Sequence, residues 1–358
     1  MDQPTDRTGD HPNASGPTTP AESAGTVSPN DVGTVSPDDV GGDGAGVTAF
    51  VPGHVTAFFS AHRRTDAARS GSRGAGVTLT DGVRVTVRPR GATDGGCASD
   101  VGPETPDDDR AGGTPGATGA SEGDEDDPGT VVLNDERVVV EPVGRVLDGL
   151  GVDATVVARA ELPLGAGFGV SGALSLATAL AANAAAGCGR SENELVELAH
   201  VAEVESGTGL GDVVAQARGG VPLRLEPGGP DHGRLDGIPA RPRVEYVTFG
   251  ELSTAEVLGG DTTTLTAAGE HALAVLRETP TLPRLMELSR RFAREADLLV
   301  PEVEEALAAV DAVDGQAAMA MLGRSVFALG TGLSDAGYEP RVCRTHPAGA
   351  TLVADDDR

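Results

Sequence analysis

The residues best suited to chemistry lie in Leu162-Pro-Leu-Gly-Ala-Gly-Phe-Gly-Val-Ser-Gly-Ala, where Gly165, Gly167, Gly169 and Gly172 crowd into a short loop before an Ala- and Leu-rich stretch. Glycine lets a main chain turn sharply and approach a ligand closely. A loop that feeds a helix N-terminus presents unpaired N–H groups and the positive end of the helix dipole, which favour a phosphate. Ser171 falls in the first turn of the helix, where its hydroxyl can meet a phosphate oxygen or Mg²⁺. This is a nucleotide-binding pattern. A Walker A loop is excluded, because it requires a lysine and the chain has none. Gly167-x-Gly169-x-x-Gly172 formally meets the dinucleotide fingerprint. Its second strand and acidic residue should follow about 20 residues on, and there Ser191-Glu-Asn-Glu-Leu-Val-Glu-Leu reads instead as a capped helix. A tight turn without a ligand is the plain alternative, and the density of glycines framed by Pro163 and Ser171 argues against it.

Two further segments carry reactive side chains. In Glu203-Val-Glu205-Ser-Gly-Thr-Gly-Leu-Gly-Asp212, carboxylates around a Gly-rich turn could hold Mg²⁺ and orient a hydroxyl. In an acidic chain such groups are more often solvated. In Val51-Pro-Gly-His54-Val-Thr-Ala-Phe-Phe, with His62, Arg63, Arg64 and Arg73 downstream, His54 taken alone suits a satisfied turn histidine. The arginines gain weight because basic groups are scarce, and a guanidinium suits a carboxylate or phosphate.

The elements that must position these groups follow from periodicity. Val47-Thr-Ala-Phe-Val and Ala154–Ala160 alternate as strands, and Val77-Thr-Leu and Val83–Val87, separated by Thr80-Asp81-Gly82, predict a hairpin. Helices are expected over 142–150, 171–186, 191–205 and 270–277, with further helices from Leu282 through Leu329. Strands are expected after Gly219 and near Val244–Phe249. Residues 1–45 and 90–129 are rich in Gly, Pro and Asp and too poor in apolar side chains to offset their ordering entropy. They read as a disordered tail and an acidic low-complexity insertion.

Composition narrows the function. The 358 residues carry 55 acidic and 27 basic side chains, for a net charge of -28, which disfavours a nucleic-acid partner. It suits a salt-loaded cytoplasm, where counterions screen the self-repulsion. No apolar run approaches a membrane span and the N-terminus lacks the features of a signal peptide, so a cytoplasmic location is expected. Cys97, Cys188 and Cys343 lie far apart, so neither a disulfide framework nor a structural metal is expected.

Together, and in this order, the three segments resemble the superfamily of galactokinase, homoserine kinase, mevalonate kinase and phosphomevalonate kinase, the GHMP kinases. Pro163-Leu-Gly-Ala-Gly-Phe-Gly-Val-Ser-Gly-Ala is similar to the phosphate loop, Gly-Thr-Gly-Leu-Gly-Asp-Val-Val-Ala-Gln to the region of the active-site Asp, and Val51-Pro-Gly-His to the first motif. Phe-Gly-Val-Ser-Gly-Ala, Pro-Gly-His and Gly71-Ser-Arg-Gly-Ala-Gly76 are most similar to archaeal pantoate kinases. The resemblance implies an α+β fold in two domains. A domain over 46–228 would be like domain 2 of ribosomal protein S5, and one over 229–358 would be ferredoxin-like.

It further implies ATP on Pro163, Gly165, Ala166, Gly167, Phe168, Gly169, Val170, Ser171 and Gly172, with Mg²⁺ on Ser171 and Glu203 in preference to Glu205. Asp212 would be catalytic, and His54, Arg63 and Arg73 would meet the pantoate carboxylate. Another GHMP substrate (homoserine, a mevalonate derivative or shikimate) and a nucleotide sensor on the same fold are the alternatives, and a homodimer is allowed. Two departures stand out. His54 occupies a position where many relatives carry Lys, and Thr345-His-Pro-Ala-Gly-Ala-Thr-Leu is a weak counterpart of the C-terminal Gly-rich motif.

Overall fold

The computed structural model describes residues 46–90, 97, 129–250 and 260–354. The expected tail over 1–45 and nearly all of the 90–129 insertion lie outside them.

Two antiparallel strands dominate the first half, β1 (Val47–His62) and β2 (Gly71–Pro89). Their lengths follow from near-continuous apolar runs, buried on both faces along most of β1. The hairpin predicted at Thr80-Asp81-Gly82 is not there. β2 runs straight through, and the pairing slips from Pro52↔Gly82 to Gly53↔Leu79, so Thr80 and Asp81 form a bulge. Both halves of β2 have the same partner in β1, and continuing the ladder satisfies more backbone than a turn would.

The eight-stranded sheet has the order β12-β1-β2-β5-β3-β4, with β6 attached to β2 and β7 to β6. Here β3 is Thr130–Leu133, β4 Glu136–Val139, β5 Ala154–Ala160, β6 Val221–Glu226, β7 Arg234–Ile238 and β12 Thr351–Leu352. The hairpin β3–β4 was missed. Its signal is Asn134-Asp135 between valines, and both residues adopt positive φ, 51° and 72°.

Helices α1 (Glu141–Leu150), α2 (Val170–Ala186), α3 (Glu192–Glu205) and α4 (Asp212–Arg218) accompany this sheet. α3 starts with the expected capping box between Ser191 and Glu194. α2 is apolar all round, as befits a helix buried between β1–β2 and α3.

The second sheet, β11-β8-β10-β9, comprises β8 (Arg243–Thr248), β9 (Ala317–Ala320), β10 (Ser325–Leu329) and β11 (Arg341–Arg344). Helices α5 (Thr263–Glu278), α6 (Leu282–Glu295), α7 (Pro301–Asp311) and the single turn α8 (Gly332–Asp335) complete this part. Helix was expected as far as Leu329, but Ala317-Ala-Met-Ala and Ser325-Val-Phe-Ala form paired strands. The Ala and Met there are good helix formers, yet each is almost wholly buried and the Leu322-Gly323 turn reverses the chain, so packing overrides propensity. The first sheet also takes in β7 and β12, on the far side of residue 228.

Cys97 and Cys188 are joined in a disulfide, contrary to the expectation of unlinked thiols. Their sequence separation of 91 carries no pairing signal; only the fold brings Cys188, just past the end of α2, to its partner.

The β9–β10 turn props the glycine loop. A Cβ on Gly323 would lie 2.0 Å from the Ala166 carbonyl oxygen, and Ser325 Oγ donates to that same oxygen at 2.9 Å. Gly323→Ala should therefore displace the loop. It should lower unfolding stability by about 1–3 kcal/mol and raise the KM for ATP, as read by urea unfolding and steady-state kinetics.

Candidate active site

The loop before α2 has the backbone its glycines foretell. Gly165, Gly167 and Gly169 have φ of 77°, 87° and 65°, a region costly for residues with a Cβ. Gly169 is the N-cap of α2, and no side chain caps this end. No capping side chain thus satisfies the first N–H groups of the helix, an arrangement able to receive an anion. Ala166, Phe168 and Val170 turn their side chains into the core, where Phe168 meets Tyr246 at 4.8 Å between rings. These residues anchor the loop, while Pro163 and Gly165 are exposed and Ser171 is half-buried.

Ser171 Oγ donates to Glu203 Oε1 at 2.7 Å. Glu203 is only 3% exposed, and its carboxylate also accepts from Ser175 at 2.9 Å and Thr208 at 2.9 Å. Burial is the main cause that pushes its pKa up to about 7, aided by the charge of Asp212 and opposed by the hydroxyls. Glu205 turns outward and pairs with Arg145 at 2.9 Å. Among the described residues no three His, Cys, Asp or Glu form a metal-binding group. Mg²⁺ commonly needs only one or two protein ligands beside nucleotide phosphates, and the Ser171–Glu203 oxygen pair meets that requirement.

Asp212 opens α4, and its carboxylate is shared between two elements. His54 Nδ1 lies 2.7 Å from Oδ1, and Thr56 Oγ1 lies 3.5 Å from the same atom. Burial pushes the carboxyl pKa up, but the His54 hydrogen bond and the charge of Arg224 outweigh it, so the group sits below the ordinary aspartate value. The C-terminal segment buttresses this helix from behind. Gly220 N–H donates to the His346 carbonyl at 2.8 Å, and a Cβ on Gly349 would lie 1.6 Å from the Ala217 carbonyl oxygen. The weak counterpart of the C-terminal motif thus touches the base of the Asp212 helix.

Arg224, on β6, was not singled out from the sequence. It is 2% exposed, acts electrostatically on Asp212, and its Nε and Nη1 are buried without partners. The same Nε lies against Gly211, where a Cβ would come within 2.8 Å, and Ser72 Oγ would be 2.3 Å from that Cβ. A buried guanidinium with orphaned donors beside the candidate catalytic carboxylate is a seat for an anion. Its signal was legible: a lone arginine inside the apolar run Val221-Pro-Leu-Arg-Leu.

The other candidates sit elsewhere. Arg73 pairs through Nη1 with Glu270 of α5 and donates Nε–H to the Leu225 carbonyl at 2.8 Å. Glu270 also bonds His62 and Ser60, at 2.9 Å each, so Arg73 belongs to a clamp between β1, β2 and α5. Arg63 is exposed at the end of β1. His200, another residue not anticipated, is buried on α3 and meets the Ser70 carbonyl through Nε2 at 2.8 Å, fixing the start of Gly71-Ser-Arg-Gly.

The sequence and the fold are similar to those of known proteins. Residues 137–220 match the family model described as the GHMP kinases N terminal domain. The chain is 34% identical over 291 residues to the pantoate kinase of Thermococcus kodakarensis, covering 79% of this chain and 87% of that protein. It is 32% identical to the pantoate kinase of Methanospirillum hungatei, with the same coverage of each. A solved structure described as a phosphotransferase related to the CoA biosynthesis pathway superposes with a TM-score of 0.68 at 28% identity, over 86% of this chain and 99% of that one. This chain belongs to the GHMP kinase family, within the branch that holds these pantoate kinases.

Proposed function

We propose that the protein transfers the γ-phosphoryl group of ATP to the primary hydroxyl of pantoate, giving 4-phosphopantoate on the route to coenzyme A. The observation that carries this reading is the placement of a buried, donor-rich Arg224 beside Asp212. The acceptor must bring both a hydroxyl and an anionic group, a pair that pantoate shares with homoserine, mevalonate and shikimate, and the 34% and 32% identity to pantoate kinases supports pantoate among them.

The chain's groups divide the work. The 165–169 loop and the open end of α2 hold the ATP phosphates. Ser171 and Glu203 would hold Mg²⁺, which when bound neutralises charge on the β- and γ-phosphates. Arg224 grips the pantoate carboxylate, and Ser72 stands next to it. Asp212 orients the primary hydroxyl and accepts its proton as the hydroxyl oxygen bonds to the γ-phosphorus. The bond from that phosphorus to the β–γ bridging oxygen breaks, and ADP leaves. Phosphoryl transfer asks mainly for positioning and charge stabilisation, which these fixed groups supply.

The setting we assign is a salt-loaded cytoplasm. Its support is the net charge of -28 and the absence of lysine, and among the described residues no helix is long and apolar enough to cross a membrane.

Asp212→Asn should lower kcat by about 10³-fold with the circular dichroism spectrum unchanged, in an assay that identifies phosphopantoate by mass; full activity would remove Asp212 from the mechanism. Arg224→Lys should raise the KM for pantoate roughly 10- to 100-fold and leave the KM for ATP nearly constant. Homoserine, mevalonate and shikimate tested in parallel should release little ADP. Glu203→Gln should abolish the Mg²⁺ dependence of ATP binding, measured by titration calorimetry. Raising KCl from about 0.2 M to about 2 M, where screening is nearly complete, should raise the thermal midpoint.

A further inference from the structure

His54 is the one buried titratable group touching Asp212 that the proposed reaction leaves without a task. Its position on β1 connects it to both halves of the site. The backbone N–H donates to the Phe168 carbonyl at 2.9 Å, inside the phosphate loop, and the imidazole Nδ1 meets Asp212 Oδ1 at 2.7 Å. The ring has no exposed surface, whereas the Asp212 side chain keeps 28% of its own. Thr56 Oγ1 lies 3.4 Å from Nδ1, and the far edge of the ring fills the space left by Gly76. A Cβ on Gly76 would lie 2.2 Å from His54 Nε2 and 2.5 Å from the Val55 carbonyl oxygen, so no side chain can be accommodated there with the ring in this position. Nε2 is buried and has no partner.

The ring spends Nδ1 on Asp212 and turns Nε2 toward Gly76, so neither nitrogen faces the substrate carboxylate expected of it from the sequence. It can act on the reaction only through Asp212. We propose that His54 is a positioning residue, whose Nδ1–H holds Asp212 Oδ1 so that Oδ2 is presented to the acceptor hydroxyl, and whose backbone ties that carboxylate to the phosphate loop. This assignment rests on the kinase reading above.

The surroundings fit a neutral ring. The charged groups that act on it are Asp212 from α4 and Arg224 from β6, with Thr56 the neutral neighbour on β1. Burial is the main cause that lowers the imidazole pKa, Arg224 adds to it and Asp212 opposes it. Neutral imidazole has one N–H. With the proton on Nδ1 the short contact to a carboxylate is a donated hydrogen bond, and the unpartnered Nε2 is a bare lone pair, less costly to bury than an orphaned cationic N–H. Both hydrogen bonds to Asp212 converge on Oδ1, which leaves Oδ2 for the substrate. The charge near Asp212 then comes from Arg224, and orientation comes from His54.

Asparagine places an amide N–H close to where Nδ1 stands, and it never ionises. The test compares His54→Asn and His54→Ala with the wild-type enzyme in the pantoate assay across about pH 6–9, together with ring-nitrogen NMR of the wild-type protein labelled with ¹⁵N-histidine. His54→Ala should lose about 100-fold in kcat, the scale of an ångström's misplacement, with KM for pantoate and ATP changed little. His54→Asn should recover to within about tenfold of wild type and keep the acid limb of the kcat profile where it was. The NMR should show one histidine, identified by its loss in His54→Asn, with a protonated Nδ1 and a bare Nε2 throughout the range. Three results would overturn the proposal: a raised KM for pantoate at unchanged kcat, loss of the acid limb in His54→Asn, or a ring that is imidazolium or Nε2-protonated. Should the wild-type enzyme leave pantoate untouched, the kinase reading fails, and the NMR still decides the His54–Asp212 hydrogen bond. If His54→Ala does not fold, His54→Asn and the NMR decide alone.

Discussion

A buried carboxylate, Glu203, and a half-buried one, Asp212, must stand close together at the site proposed for a polyanion, and most of its architecture answers that demand. Burial is the main cause that raises the cost of ionising Glu203, and the charge of Asp212 adds to it, whereas at Asp212 hydrogen bonds and nearby positive charge outweigh burial. The structure resolves the conflict differently for each. Glu203 is surrounded by Ser171, Ser175 and Thr208, neutral donors that stabilise an anion without cancelling its charge. This environment suits the cation-binding role proposed for it. Asp212 is paired with His54 and lies under the field of Arg224, which hold its carboxyl below the ordinary aspartate value and suit the proton-accepting role proposed for it. In the proposed mechanism a carboxylate is directed toward a metal in one place and toward a proton in the other, by its environment.

The elements that bring these groups together are far apart in sequence. β1 supplies His54, the loop into α2 supplies Ser171, α3 supplies Glu203, α4 supplies Asp212 and β6 supplies Arg224. The chain beyond residue 228 supplies no group to this set, yet it fixes the set in place. The turn at Gly323 lies under the phosphate loop, Tyr246 stacks near Phe168, and the Thr345–Gly349 segment closes against the end of α4. The contacts at Gly323 and Gly349 bring a glycine against backbone at close approach, where a side chain would push the site apart.

What could be read in the sequence was whatever local chemistry demands. The phosphate loop was legible because three positive-φ positions need glycine, and α3 because Ser191 and Glu194 form a local capping box. Errors arose where the partner decided. Thr80-Asp81-Gly82 has turn chemistry, yet β1 pairs with β2 on either side of it and makes it a bulge. The 317–329 stretch has helical propensity, yet two-sided burial in the second sheet makes it strands. Arg73 and Arg224 could not be ranked from the sequence. Both are arginines in strands, and only the fold shows that Glu270 already occupies one while the other is buried with donors to spare.

The lack of lysine gives this last distinction its consequence. A lysine on a flexible stem could deliver charge and a hydrogen bond to a carboxylate at once, but this chain has none. The two duties fall instead on separate residues in separate strands. A planar imidazole locked by Gly76 supplies direction, and a planar guanidinium fixed between Ser72 and Gly211 supplies charge. Splitting them has a structural cost, because each needs a glycine to make room and each leaves a buried nitrogen unpartnered in the protein alone. Arg224 can recover its cost by binding an anionic substrate. His54 Nε2 faces Gly76 and can recover nothing that way, so the penalty is tolerable only if the ring is neutral.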